Sequence, residues 1–193
     1  MSIAPPTEQR VLDAAQHLLQ MHGYHGLSYA AVAAVVGLRK ASVFHYFPTK
    51  DALARAVVAR YRATVRGKMA LIDGATGDPH EKLVRYVALY RGLLERREHM
   101  CLCGLLAAEA LTLPASVQTE LRGYFTEHEA WLGEVLAAGN AAAVLHLDGP
   151  VAVAAQLVLA GVEGALLVAR AHDDDARFTT ITTQLIAGVQ ARP

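Results

Sequence analysis

Residues 37–50, GLRKASVFHYFPTK, gather three cations, an imidazole, hydroxyls and three aromatic rings into fourteen positions. Those groups suit a polyanion. On a short helix from Arg39 to Phe47, Val43 and Phe47 are four apart and share one face. That face continues from Val35 and Leu38 and is expected to pack inward. Arg39, Lys40, Ser42, His45 and Tyr46 then point outward, with Phe44 at the margin. Donors and rings on one exposed helix fit a major groove, which offers base-edge acceptors and thymine methyls between two rows of phosphates. Lys50, at the start of the next helix, is placed to meet a phosphate. So is Ser28, at a helix N-terminus that already favours anions. A solvated basic helix on an all-α core is the alternative. The Gly-containing turn, the aromatic cluster and the terminal Pro-Thr-Lys weigh against it.

A second set of groups lies further along. Tyr86, Tyr90, Cys103, Phe125, His128, Trp131 and Glu163 place aromatic, sulfur and polar atoms among apolar neighbours, the mixture that lines small-molecule pockets. His128 also suits a solvated helix face. Cys101 and Cys103 are candidates for a redox or electrophile sensor, because a thiolate gains reactivity near Arg96, Arg97 or a helix N-terminus. Two buried small hydrophobes are the simpler reading. No metal site is expected: two positions on a helix turn the cysteines about 200° apart, although an extended segment would let them converge, and His99 with Cys103 supplies only two ligands.

The elements that position these groups are helical. Of 193 residues, 53% are hydrophobic, chiefly Ala, Leu and Val, and no stretch alternates apolar and polar for long. The first six residues read as disordered. Thr7 caps a helix with apolar positions Val11, Ala14, Ala15, Leu18 and Leu19, which stops at Gly23. Ser28 caps a second helix to Val35 or Val36, and Gly37-Leu38 makes the turn of a helix-turn-helix. Pro48 ends the third helix. A fourth runs from Asp51 to Ile72, followed by a break at 73–79. Further helices are expected at 79–97, 101–111, 114–139, 150–171 and 175–190, with Gly139-Asn140 as a stop.

Formal net charge is zero, yet its distribution is uneven. Residues 1–68 hold nine Lys/Arg against three Asp/Glu, and the remainder holds nine against fifteen. A basic module on an acidic body follows. The last two helices are the expected dimer surface. Residues 150–170 are apolar nearly all round, so both faces need cover. Gly161, Gly164 and Ala165 would let another helix approach, and Ile181, Leu185, Ile186 and Val189 follow helical spacing. Two helices from each subunit would form an isologous interface. Glu163 and Gln156 in this run argue for a buried helix, not a membrane span. With no apolar leader visible at the front, the chain is expected to be cytoplasmic.

The stretch GLSYAAVAAVVGLRKASVFHYFPTKDAL, 26–53, resembles the DNA-binding segment of TetR-type transcriptional repressors. Gly37-Leu38 and the run Ser42 to Lys50 carry the likeness. It implies an all-α fold, with a helix-turn-helix domain over 7–53 and an effector-binding and dimerisation domain over 54–193. The implied partners are a double-stranded, palindromic DNA operator, a second copy of the chain and a small effector that releases the DNA. By position, base contact falls to Arg39, Lys40, Ser42 and His45, and phosphate contact to Ser28, Tyr46 and Lys50. The family usually has tyrosine where Phe44 stands, so Phe44 keeps the ring without the hydroxyl and is left with an apolar contact. Cysteines near 101–103 resemble those of some thiol-responsive members, which gives the alternative of a thiol- or metal-sensing regulator. A helical enzyme or carrier is the rival of another class. No phosphate loop, dinucleotide motif or metal-binding pattern supports it, and no cofactor is expected.

Overall fold

The computed structural model describes residues 6–95 and 100–190. Among them are nine α-helices and one short 3-10 helix, with a lone antiparallel bridge between Leu145 and Gln190. The expected all-α class is what the chain adopts. The helices are α1 (Thr7–Gly26), α2 (Tyr29–Val36), α3 (Lys40–Tyr46), α4 (Lys50–Ala75), α5 (Pro79–Leu94), α6 (Leu102–Ala108), α7 (Ala115–Ala141), α8 (Val151–Ala171) and α9 (Asp175–Ala187). The 3-10 turn at Ala110–Thr112 follows α6. Through its described residues the chain divides into two compact units: Met1–Ala63 with Glu98–Gly123, and Thr64–Arg97 with Tyr124–Pro193. Helices α4 and α7 contribute to both.

In the first unit α1 packs on α2 and α6, and α2 packs on α3. The 3.6-residue periodicity of α1 places Val11, Ala14, Ala15, Leu18 and Leu19 in the core. The expected end at Gly23 is instead a kink. Gly23 adopts φ 67°, which glycine tolerates, and the helix resumes to Gly26. Thr7 is the first helical residue and not the cap; Pro6 precedes it, with no side-chain cap bond. Ser28 does cap α2, its Oγ accepting from Ala31 N at 3.2 Å. Gly37 takes the left-handed conformation, φ 74°, that turns the chain from α2 into α3. Helix α4 begins at Lys50, one residue before the expected Asp51, because Thr49 Oγ1 accepts from Ala52 N at 3.1 Å. It runs to Ala75, past Ile72, and shortens the break.

In the second unit α8 packs on α5 and α9, and α5 on α9. Asp78 caps α5 through His80 N at 3.0 Å, with Pro79 in the first turn. The α5 helix ends at Leu94; residues 96 and 97 of the expected span, and the expected disorder of residues 1–5, lie outside the described residues. Gly139-Asn140 does not stop α7. Gly139 is buried where a Cβ would strike Leu145 and Pro79, so it serves a close approach inside the helix. Helix α9 ends at Ala187, three residues short of 190. At Gly161 a Cβ would crowd Leu185 of α9, whereas Gly164 faces open space. Of the three small residues, Gly161 and the buried Ala165 are therefore used within the chain.

Candidate functional site

Helix α3 is anchored from behind and bare in front. Val43 and Phe47 are buried, as the i, i+4 spacing requires. Tyr29 of α2 fixes the end of the helix, its hydroxyl donating to Phe47 O at 2.6 Å. Val35 does not join this face. It is 57% exposed, and Val32, Ala33 and Val36 take the inward positions of α2, while Leu38 is half-buried. The left-handed Gly37 resets the register, so a face drawn on α3 cannot be continued back into α2.

Arg39, Lys40, His45 and Tyr46 are exposed, Ser42 is half-buried, and Ser28 is exposed at the start of α2. Phe44 is 54% exposed and its ring lies 5.9 Å from that of Tyr29. The His45 and Tyr46 rings meet edge-on at 5.6 Å. The basic residues of the N-terminal third separate into two groups. Arg10 donates to Val36 O at 2.6 Å and satisfies the end of α2. Arg60 pairs with Asp13 at 2.7 Å, Arg62 and Arg55 with Glu120 at 3.1 and 3.7 Å, and Arg66 with Glu127 at 3.3 Å. Arg39 and Lys40 make no ion pair among the described residues. Arg39 and Lys40 therefore leave positive charge at the start of α3, and Lys68, exposed on α4, is likewise without an ion pair among the described residues. Lys50 is half-buried, with Nζ 4.3 Å over the Tyr24 ring and 3.5 Å from His25 O.

The second unit holds a buried polar cluster between α5 and α7. Tyr86 Oη lies 2.8 Å from His128 Nδ1 and 3.2 Å from Tyr90 Oη, and Tyr90 Oη lies 3.3 Å from Tyr124 Oη. His128 is 1% exposed, which removes the solvated-face reading. Burial penalises its charged form and lowers its pKa from 6.5 to about 4, partly opposed by the charge of Glu127. Trp131 stacks on Tyr86 at 5.5 Å and donates Nε1–H to Asp73 Oδ2 at 2.8 Å. Burial alone would raise the Asp73 pKa, but the bonds from Lys82 and Trp131 hold the carboxyl below its usual range.

Four of the seven effector candidates, Tyr86, Tyr90, His128 and Trp131, thus come together. Phe125 is half-buried against Tyr124, with ring centroids 5.3 Å apart. Glu163 is buried on α8, and Cys103 belongs to the first unit. A cavity of about 370 Å³ in the second unit opens between α5 and α9, and none of the seven candidates lines it. Tyr124 is the member that a residue-by-residue reading passes over, although Tyr124 and His128 are four apart on one helix.

Cys101 and Cys103 are not joined in a disulfide, and both are buried. Cys101 precedes α6, so the angular argument for two helical residues does not apply to it. Its Sγ accepts from Gly104 N at 3.4 Å and from Tyr61 Oη at 3.9 Å. His99, Arg96 and Arg97 lie outside the described residues.

Comparison with known proteins bears on the whole arrangement. Residues 11–57 match the model of bacterial regulatory proteins of the tetR family. A solved TetR-family transcriptional regulator from Agrobacterium tumefaciens is 36% identical, with a TM-score of 0.93 over 96% of this chain and 98% of that one. A TetR transcriptional regulator from Legionella pneumophila, 24% identical, has the same fold at a TM-score of 0.88, over 98% of this chain and 100% of its own. The HTH-type transcriptional regulator UidR of Escherichia coli strain K12 is 29% identical over 72 residues. That match covers 33% of this chain and 37% of UidR.

Proposed function

The chain belongs to the TetR family of transcriptional regulators, and from that premise we propose that it is a ligand-responsive repressor. It binds a palindromic operator as a homodimer and is released by a small effector; it acts in the cytoplasm, as a regulator and not as an enzyme. The observation that carries the reading is the uncompensated pair Arg39–Lys40 at the head of an exposed α3, beside five arginines that are engaged within the protein. Arg39, Lys40, Ser42 and His45 read bases, Ser28, Tyr46 and Lys50 hold phosphates, and Phe44 offers an apolar contact.

DNA recognition is assigned to residues 7–53, and effector binding and dimerisation to 54–193. Dimerisation through α8 and α9 is supported by an exposed apolar row on α8, Val153, Leu157, Leu167 and Val168, with half-buried Ile181 and Leu185 on α9. A two-fold axis between copies would set two α3 helices about one DNA turn apart. The effector reading rests on Tyr86, Tyr90, His128 and Trp131, with Phe125, Glu163 and Cys103 as outer candidates. The thiol-sensing alternative draws on the two donors to Cys101 Sγ, and the burial of both thiols weighs against it.

Selection of random duplexes by the full-length protein tests this. Enriched sequences are expected to share an inverted repeat and to bind two chains each. Enrichment of nothing, or of a single unrepeated half-site by one chain, contradicts it.

A further inference from the structure

The kink in α1 is filled by a side chain from far along the sequence. At Gly23 a Cβ would overlap the carboxylate of Glu109, so the missing side chain is the space that the carboxylate occupies. The kink also frees the backbone N–H that follows, and Glu109 Oε2 accepts from Tyr24 N at 2.7 Å. A charged acceptor on a free backbone donor makes a strong hydrogen bond. Two further bonds flank it. Gln20 Nε2 donates to Met100 O at 2.7 Å, and His25 Nε2 lies 3.0 Å from Thr112 Oγ1. The segment that carries α6 is therefore pinned to both sides of the kink.

Tyr24 connects this pin to the start of α4. Its hydroxyl donates to Asp51 Oδ1 at 2.6 Å, and burial together with that bond raises the phenol pKa. The Lys50 ammonium rests over its ring, within reach of His25 O. Lys50 and Asp51 follow directly on the Phe47-Pro48-Thr49 exit from α3. Glu109 thus fixes the backbone of the residue whose ring and hydroxyl hold the first two residues of α4.

We propose that Glu109 is a positioning residue for DNA binding: by capping Tyr24 at the Gly23 kink it sets the place from which Lys50 meets a phosphate. This rests on the reading of Lys50 as a phosphate contact. It adds that loss of this cap weakens binding through Lys50, uniformly across sequences, without touching the face that reads bases.

The test measures binding of the full-length protein to a selected duplex and to its scrambled version across a salt series. The variants are Lys50→Ala, Glu109→Ala, Glu109→Gln and the double variant Glu109→Ala/Lys50→Ala. Lys50→Ala is expected to lower the slope of log K against log salt by about 0.9 for each phosphate it no longer neutralises. Glu109→Ala is expected to lower it by nearly as much and to weaken both duplexes about tenfold alike. The double variant is expected to be no weaker than Lys50→Ala alone. Glu109→Gln keeps an acceptor at the kink and should fall between Glu109→Ala and the parent, which serves if the alanine variant does not fold. A silent Lys50→Ala overturns the phosphate reading, and this proposal with it. A normal Lys50→Ala effect beside an unchanged slope in both Glu109 variants, or additive losses in the double variant, overturns the positioning role alone.

Discussion

The two units use similar side chains in opposite ways. On α3 the consecutive Phe44, His45 and Tyr46 are exposed, and no hydrogen bond joins their side chains to other described residues. On α5 and α7, Tyr86, Tyr90, Tyr124 and His128 are buried and bonded to one another. Aromatic and imidazole groups left in water cost the fold little and are available to a partner. The same groups under protein bond to each other, which limits the cost of about 1–3 kcal/mol carried by a buried donor or acceptor without a partner, although His128 Nε2 is left without one among the described residues. The second cluster is therefore expected to carry stability and the first is the one proposed for recognition, and substitutions in the two places should separate along that line.

The largest effect is expected at Trp131. Its ring stacks on Tyr86 and its indole N–H is held by Asp73, so Trp131→Ala removes packing and leaves a carboxylate short of a donor. A drop of about 3–5 kcal/mol in urea unfolding is expected. A drop below about 1 kcal/mol would mean that the cluster is loosely packed and the contrast between the units is weak.

Next comes a pH dependence that belongs to His128. Its pKa in the folded chain, about 4, lies below the ordinary 6.5, so the unfolded chain binds the proton more readily. Stability should then be intact above pH 6.5 and fall as pH drops from about 6.5 to about 4. The shift corresponds to a decrease on the order of 3 kcal/mol. His128→Leu should lack this part of the slope. An identical slope in the variant would remove His128 as its origin.

The smallest effect sharpens the comparison from the other side. Val35→Lys, on the exposed face of α2, should change stability by less than about 0.5 kcal/mol. A decrease of about 2 kcal/mol or more would return Val35 to the core, as a continuation of the Val43–Phe47 face suggests.

The fate of Val35 shows where sequence reasoning stops. Periodicity within one helix is reliable, as Val43 with Phe47 and the row from Val11 to Leu19 demonstrate. It fails across Gly37, because a left-handed residue rotates the next helix by an amount the pattern does not encode. The outward face of α3 was legible because one helix decides it. The tyrosine cluster was legible in part, through i, i+4 pairs on two helices, although nothing in the sequence says that those helices face each other. The bond between Glu109 and Tyr24 was not legible at all. Its partners are 85 positions apart, and a glycine before a tyrosine signals a helix end more readily than a socket. The composition signal was real but blurred: nine cations pointed to a basic module, and the ion pairs of Arg55, Arg60, Arg62 and Arg66 account for four of them.

That division of the cations is the most direct place to test the account. Affinity of the full-length protein for a selected duplex and for its scrambled version should be measured by fluorescence anisotropy, for Arg39→Ala/Lys40→Ala and for Arg55→Ala/Arg60→Ala. The first variant is expected to lower the preference for the selected duplex by about 1–3 kcal/mol for each bidentate pairing with a base that the substitutions remove, and the second to leave that preference unchanged. A preserved preference in Arg39→Ala/Lys40→Ala, or its disappearance in Arg55→Ala/Arg60→Ala, would contradict the assignment of recognition to α3.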